Sequence, residues 1–163
     1  RTSTPELLTR NGSRWVACPS IMTVRVPPVP DWPLQQPALT YSGSSLIRGV
    51  NIYIDNVNDT GTGTGTLGGN TITAQPFQIG ARNVANNFSG KIDEVSIFNS
   101  ELSQSDVTSI YGGGNPSSLS SYSSLVSWWR CGDSDIAPTL TDNKGSKDGT
   151  MTNFSKITTD VPT

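Results

Sequence analysis

The stretch that decides the fold is Phe88-Ser-Gly-Lys-Ile-Asp-Glu-Val-Ser-Ile-Phe-Asn-Ser-Glu-Leu-Ser103, followed by Gln104 to Gly114. Ser89-Gly90 is a turn signal, and from Ile92 successive side chains alternate between two faces. Asp93, Val95 and Ile97 fall on one face, and Ile92, Glu94, Ser96 and Phe98 on the other. One mostly aliphatic face and one mixed face predict a half-buried antiparallel strand. Ser103 then stands at a helix N-cap position with Asp106 three residues on, as in a capping box. Val107, Ile110 and Tyr111 make one apolar stripe, and Gly112-Gly113-Gly114 ends the helix after about two turns.

Outward from this stretch the same grammar continues. Val50, Ile52 and Ile54 alternate with Asn51, Tyr53 and Asp55, and Asp55-Asn56 is a two-residue hairpin turn returning into Val57. Thr60-Gly-Thr-Gly-Thr-Gly-Thr66 reads as a mobile loop tip unless something orders it. Thr71-Ile-Thr73 and Phe77-Gln-Ile-Gly80 read as short strands. Leu125 to Arg130 alternates with Leu125 and Trp129 on one face and Val126 and Trp128 on the other, which predicts a strand covered on both sides. One or two edge strands are expected around Thr150 to Phe154. Sixteen Gly and eleven Pro in 163 residues interrupt the chain too often for long helices.

Phe88 to Tyr111 resembles the F-x-G-x-I-D-E-V-x-I-[W/F/Y]-N-x-x-L-[ST]-x-x-[DE]-[VI]-x-x-[LI]-Y pattern of laminin G-like, concanavalin A-like jelly-roll domains. Leu39 to Ser45, Val50 to Val57 and Phe77 to Gly80 are similar to the strands that precede it there. Leu125 to Asp133 and Asp148 to Asn153 are similar to a C-terminal extension of jelly rolls in marine phage and environmental viral structural proteins. The resemblance implies an all-β, antiparallel jelly-roll sandwich over residues 38–163 with one short helix near 103–111.

Residues 1–37 are expected to be an irregular, Pro-rich segment outside that resemblance. Pro27, Pro28, Pro30 and Pro33 remove backbone donors and force extended or polyproline backbone. Either another chain supplies the strands missing at the N-terminus, or the chain is a truncated or altered fragment; the second is preferred. Cys18 and Cys131 are the only cysteines, and they are expected to stay unpaired. Four N-x-[ST] sequons, at Asn11, Asn58, Asn87 and Asn153, are no more than a Ser/Thr-rich chain supplies by chance.

Function is constrained mainly by exclusion. The chain has no histidine, which removes Ser-His-Asp and Cys-His nucleophilic arrangements and the usual zinc sets. Jelly-roll glucanases cleave with carboxylates that project together from one strand, whereas alternation sends Asp93 and Glu94 to opposite faces. A net charge of −2 leaves no basic stripe for nucleic acid. No run of about 18 apolar residues crosses a membrane. The expectation is a non-catalytic binding or structural module, virion-borne or extracellular, that meets a glycan or protein surface or associates with its own copies.

Candidate ligand contacts are Asp55, Asn56, Asn58 and Asp59 at the hairpin tip, and Trp128 as a sugar-stacking ring. Turn chemistry explains the first four equally well, and core packing or an interface is preferred for Trp128. Asp93, Asp133 and Asp135 are candidate ligands for calcium, the one cofactor in view. For Asp93 the preferred reading is a carboxylate accepting backbone N–H groups, and for Asp133-Ser-Asp135 and Asp142-Asn-Lys-Gly145 it is a solvated turn.

Overall fold

The computed structural model describes residues 18–25, 35–66, 76–82, 86–88, 91–115, 117–132 and 135–152. Strands dominate, in antiparallel sheets, with one short helix. The strands are β1 (Cys18–Arg25), β2 (Pro37–Tyr41), β3 (Val50–Ile54), β4 (Val57–Asn58), β5 (Ala81–Arg82), β6 (Asn86–Asn87), β7 (Lys91–Phe98), β8 (Leu125–Trp129), β9 (Thr139–Leu140) and β10 (Gly149–Thr150). A six-stranded sheet runs β4-β3-β2-β1-β7-β8, and β5–β6 and β9–β10 form two small pairs.

β1 is the largest departure from the sequence reading, because it lies inside the segment expected to be irregular and occupies the middle of the sheet. Ile21-Met-Thr-Val24 is rich in β-branched residues, and the strand ends just ahead of Pro27. Pro19, which cannot donate to a ladder, sits where Cys18 and Ser20 step out of register with Phe98 and Ile97. One proline sits at a bulge within this strand and the others follow its end, so they do not abolish it.

A second irregularity organises β7. Ile21 pairs with Ser96 and Thr23 with Asp93, so three steps of β7 oppose two of β1. The extra residue is taken up at Glu94, whose φ of 53° is left-handed. Glu94 and Ser96 still share the side of Trp128, while Val95 opposes Trp129. Both faces of β7 are buried, with Val95, Ser96 and Phe98 fully enclosed, so the strand is covered on both sides rather than half-buried.

On one side of the sheet Ala38, Tyr53, Phe98, Leu125 and Trp128 pack with Leu102, Val107 and Ile110 of the helix region and with Leu119. Leu125 and Trp128 share this core because β8 is out of register between the partners of Ile97 and Phe98, leaving Val126 as the extra, exposed residue. Strict alternation, which paired Leu125 with Trp129, fails at that bulge. Trp129 instead faces the opposite side and stacks on Phe77, ring centroids 5.6 Å apart. Phe77 to Gly80 is not a strand; the chain turns through Gly80 into β5.

The helix α1 (Gln104–Tyr111) forms where its capping box requires. Ser103 Oγ accepts the Asp106 N–H at 3.1 Å, the Asp106 carboxylate accepts the Ser103 N–H at 2.9 Å, and Gly112 closes the other end in the left-handed region. Asp55 and Asn56, with φ of 50° and 67°, make the expected hairpin turn. The Thr–Gly run is ordered against Ile47: the Ile47 N–H donates to Gly65, and a Cβ on Gly63 would stand 2.6 Å from the Ile47 side chain. Thr71–Thr73 and the chain from residue 153 onward, including Phe154, lie outside the described residues.

Cys131 is a free thiol. Cys18 opposes Phe98, whereas Cys131 lies two residues beyond Trp129, the partner of Val95. At about 3.3 Å per residue that separation exceeds the roughly 7 Å limit for a disulfide.

Among the described residues, the buried hydroxyl of Ser96 has no hydrogen-bond partner. An unsatisfied buried hydroxyl costs about 1–3 kcal/mol, so Ser96→Ala should leave stability unchanged or raise it by about 1 kcal/mol in equilibrium denaturation. Ser103→Ala, which removes the cap, should lower it by about 1 kcal/mol in the same measurement.

Candidate functional site

Polar groups at the β3–β4 hairpin are already engaged by the fold. The Asp55 carboxylate accepts the Gln36 N–H at 2.7 Å. Asn56 Oδ1 accepts from Gln104 Nε2 at 2.8 Å and Thr108 Oγ1 at 2.7 Å, which ties the tip to α1. Asn58 Oδ1 accepts the Thr60 N–H at 2.8 Å, an Asx turn. The Asp59 N–H donates to Ile52, and its side chain is exposed. The structure thus brings the four predicted residues together, with turn and helix contacts accounting for Asp55, Asn56 and Asn58.

Trp128 is not a stacking platform. It is buried in the core, its indole N–H donates to Glu94 Oε2 at 2.6 Å, and the Arg130 guanidinium covers its ring at 5.2 Å. Arg130 Nε also donates to Glu94 Oε1 at 3.0 Å. One carboxylate therefore joins an indole and a guanidinium across neighbouring strands. Sequence alternation placed Glu94 opposite Asp93 but gave no sign of this pairing, because Trp128 and Arg130 reach it through two bulged strands.

Asp93 accepts the N–H of Glu94 at 3.0 Å within its own bulge. Asp135 accepts the Gly132 N–H at 3.0 Å and the Thr141 N–H at 2.8 Å. Asp133 lies outside the described residues. Asp93, Asp135 and Glu94 all act on Cys131: burial pushes its thiol up to about 12 and the three carboxylates add to the rise, against a backbone hydrogen bond from Val95. Among the described residues no group of three or more His, Cys, Asp or Glu converges in a metal-holding arrangement.

Asp142, expected in a solvated turn, is buried, as is Asp135. Its Oδ1 accepts N–H groups from Trp128 at 2.9 Å, Gly145 at 2.9 Å and Lys144 at 3.1 Å, and its Oδ2 accepts that of Lys147 at 3.2 Å. Desolvation raises its pKa, but the backbone donors of Gly145, Trp128 and Lys144 and the Ser127 side chain outweigh it, leaving the carboxyl below the usual value. Gly145 is needed here, since a Cβ would lie 2.6 Å from Asp142 Oδ2 and 2.7 Å from the Val126 carbonyl. The Asp-Asn-Lys-Gly spelling, a carboxylate followed by a tight glycine turn, was the signal available for this arrangement.

A depressed carboxyl contributes stability above its unfolded pKa and loses it as pH falls through the folded one. The thermal midpoint should therefore fall on acidification from about pH 6 to about pH 2, and Asp142→Asn should reduce that fall, as read by circular dichroism. At pH 8 a thiol with a pKa of about 12 is ionised in about one molecule in ten thousand. Cys131 should accordingly resist iodoacetamide in the folded protein and react after denaturation, as read by mass spectrometry.

A family model described as the concanavalin A-like lectin/glucanases superfamily matches residues 22–108, more than half of the chain. The match starts inside β1 and ends within α1, so it reaches further upstream than the expected boundary at residue 38 and stops short of β8. No curated protein and no solved structure gives a significant match.

Proposed function

The chain belongs to the concanavalin A-like lectin/glucanases superfamily, and on that premise we propose that it is a non-catalytic module that binds a glycan or a protein surface. The superfamily holds both glycosidases and lectins without activity, so the choice between them rests on the carboxylates.

The observation that carries the reading is the commitment of the described buried acids. Asp93, Glu94, Asp135 and Asp142 each accept hydrogen bonds from the chain itself, and Glu94 is also neutralised by Arg130. Glycoside hydrolysis needs one carboxyl to carry a proton and another to face the sugar across a cleft. Asp142, whose carboxyl is held below its usual value by backbone N–H groups, is poorly suited to donate a proton near neutral pH.

Binding is the property the superfamily suggests, and the exposed loops offer hydroxyl and amide groups for it. The resemblance of the chain from Leu125 onward to extensions of viral jelly rolls supports a virion or tail-associated setting, or an extracellular one. No helix among the described residues is long and apolar enough to cross a membrane.

A second reading, self-association without a ligand, is favoured by one surface. Leu39, Ile52 and Val57 are exposed and, by register, lie with Ile54 on the side of the sheet away from the α1 core. Exposed aliphatic neighbours on a sheet face are a feature of association surfaces.

A glycan array, run with and without calcium, should give binding to at least one glycan class, while incubation with the bound glycans should release no reducing ends. A flat array in both conditions removes the glycan reading, and reducing-end release abolished by Glu94→Gln at retained fold removes the non-catalytic one. A Leu39→Lys change that converts an oligomer to monomer in mass photometry would favour self-association.

A further inference from the structure

The six-stranded sheet has two lateral edges, and an open edge is a template for another extended chain. On one side β4 pairs only with Tyr53 and Ile54, leaving the rest of β3 at the margin. The next outward-pointing residue of β3 is Ile52. Its N–H donates to Thr60 Oγ1 at 2.8 Å, and its carbonyl accepts the Asp59 N–H at 2.8 Å. Farther along, the Val50 N–H donates to the Ile47 carbonyl.

On the other side the outward-pointing residue of β8 is Trp128. Its N–H donates to Asp142 Oδ1 at 2.9 Å, and its carbonyl accepts the Asn143 N–H at 2.7 Å. The turn that carries Asp142 is pressed against the same margin, Gly145 lying too close to the Val126 carbonyl to admit a Cβ.

The two margins are built alike. Each leaves one central residue facing outward; a side-chain oxygen takes its N–H and an adjacent backbone N–H takes its carbonyl. The first closure continues the β3–β4 register by one pair and the second is a single antiparallel bridge between Trp129 and Asp142, and in each the outward N–H goes to a side-chain oxygen instead of a backbone carbonyl. An incoming strand needs those same two groups, because an antiparallel ladder is joined by reciprocal N–H and C=O bonds at alternate residues. We propose that Thr60 and Asp142 are edge plugs that hold off strand addition by a second copy of this chain. The plugs do not depend on whether the module binds a glycan, and they confine association to the faces of the sheet.

The test compares the wild type with Thr60→Val, which keeps the side-chain shape at an external site, with Asp142→Ala, and with both together. Amide hydrogen exchange at Ile52 and Trp128 reports the edges, and mass photometry reports assembly. Thr60→Val should speed Ile52 exchange at least about tenfold and Asp142→Ala that of Trp128, since each amide loses its intramolecular acceptor. The double variant should form heavier species than the wild type, and should still form them in a Leu39→Lys background that disables the aliphatic face.

A folded double variant with the mass distribution and amide exchange of the wild type overturns the proposal. So do heavier species that vanish with Leu39→Lys, since contact then runs through the face. Should Asp142→Ala fail to fold, Thr60→Val alone decides: faster Ile52 exchange with heavier species supports the plug, and the lack of either overturns it.

Discussion

The bulge at Glu94 is the constraint on which the rest of the structure depends. A left-handed backbone costs a residue with a side chain about 1–2 kcal/mol, and here it sits inside the most enclosed strand of the sheet. Charge-assisted hydrogen bonds contribute about 1.5–3 kcal/mol each, and Glu94 takes two, from the Trp128 indole and the Arg130 guanidinium. The pairing is therefore large enough to hold the strained backbone in place. That backbone in turn sets which side chains of β7 face the α1 core and which face Trp129 and Phe77.

Burying acids would be costly if they were left alone, and the chain answers in one consistent way. Asp93 accepts a donor from its own bulge, Asp135 takes two from the turns around it, and Asp142 takes four. Asp142 shows the balance directly, since its carboxyl stays below the usual value even though desolvation is the largest single influence on it. Membership of a superfamily that includes glucanases thus coexists with acids used as structural joints.

Local rules were legible and cross-strand ones were not. The helix with its capping box, its Gly112 stop and the Asp55-Asn56 turn could all be read from neighbours within about four residues, because backbone donors and left-handed φ impose residue types there. β1 was hidden because a Pro-rich run beside a strand looks like the absence of one, although prolines at its bulge and just past its end are compatible with pairing. The faces of β8 were misassigned because period-two alternation holds only until a bulge adds a residue, and no residue near Val126 announces one. The hairpin residues Asp55, Asn56, Asn58 and Asp59 are neighbours in sequence, but the contacts that engage Asp55 and Asn56 come from Gln36, Gln104 and Thr108, the last two about fifty residues from Asn56.

Face and edge now limit the protein in different ways. A sheet with open margins would offer directional backbone pairing to any extended segment, and selectivity would be poor because every chain carries the same donors and acceptors. Among the described residues, Ile52 and Trp128 have their outward backbone groups occupied, while the side of β2–β4 that carries Leu39, Ile52 and Val57 stays exposed. Any contact made on that face would read side-chain identity rather than backbone geometry, which is the condition for distinguishing one partner from another. The same glycine and aspartate turn that closes the β8 margin also fixes Trp128, whose indole holds Glu94 in its bulge. Closing the edge and setting the register of β7 are in this way parts of a single connected set of hydrogen bonds.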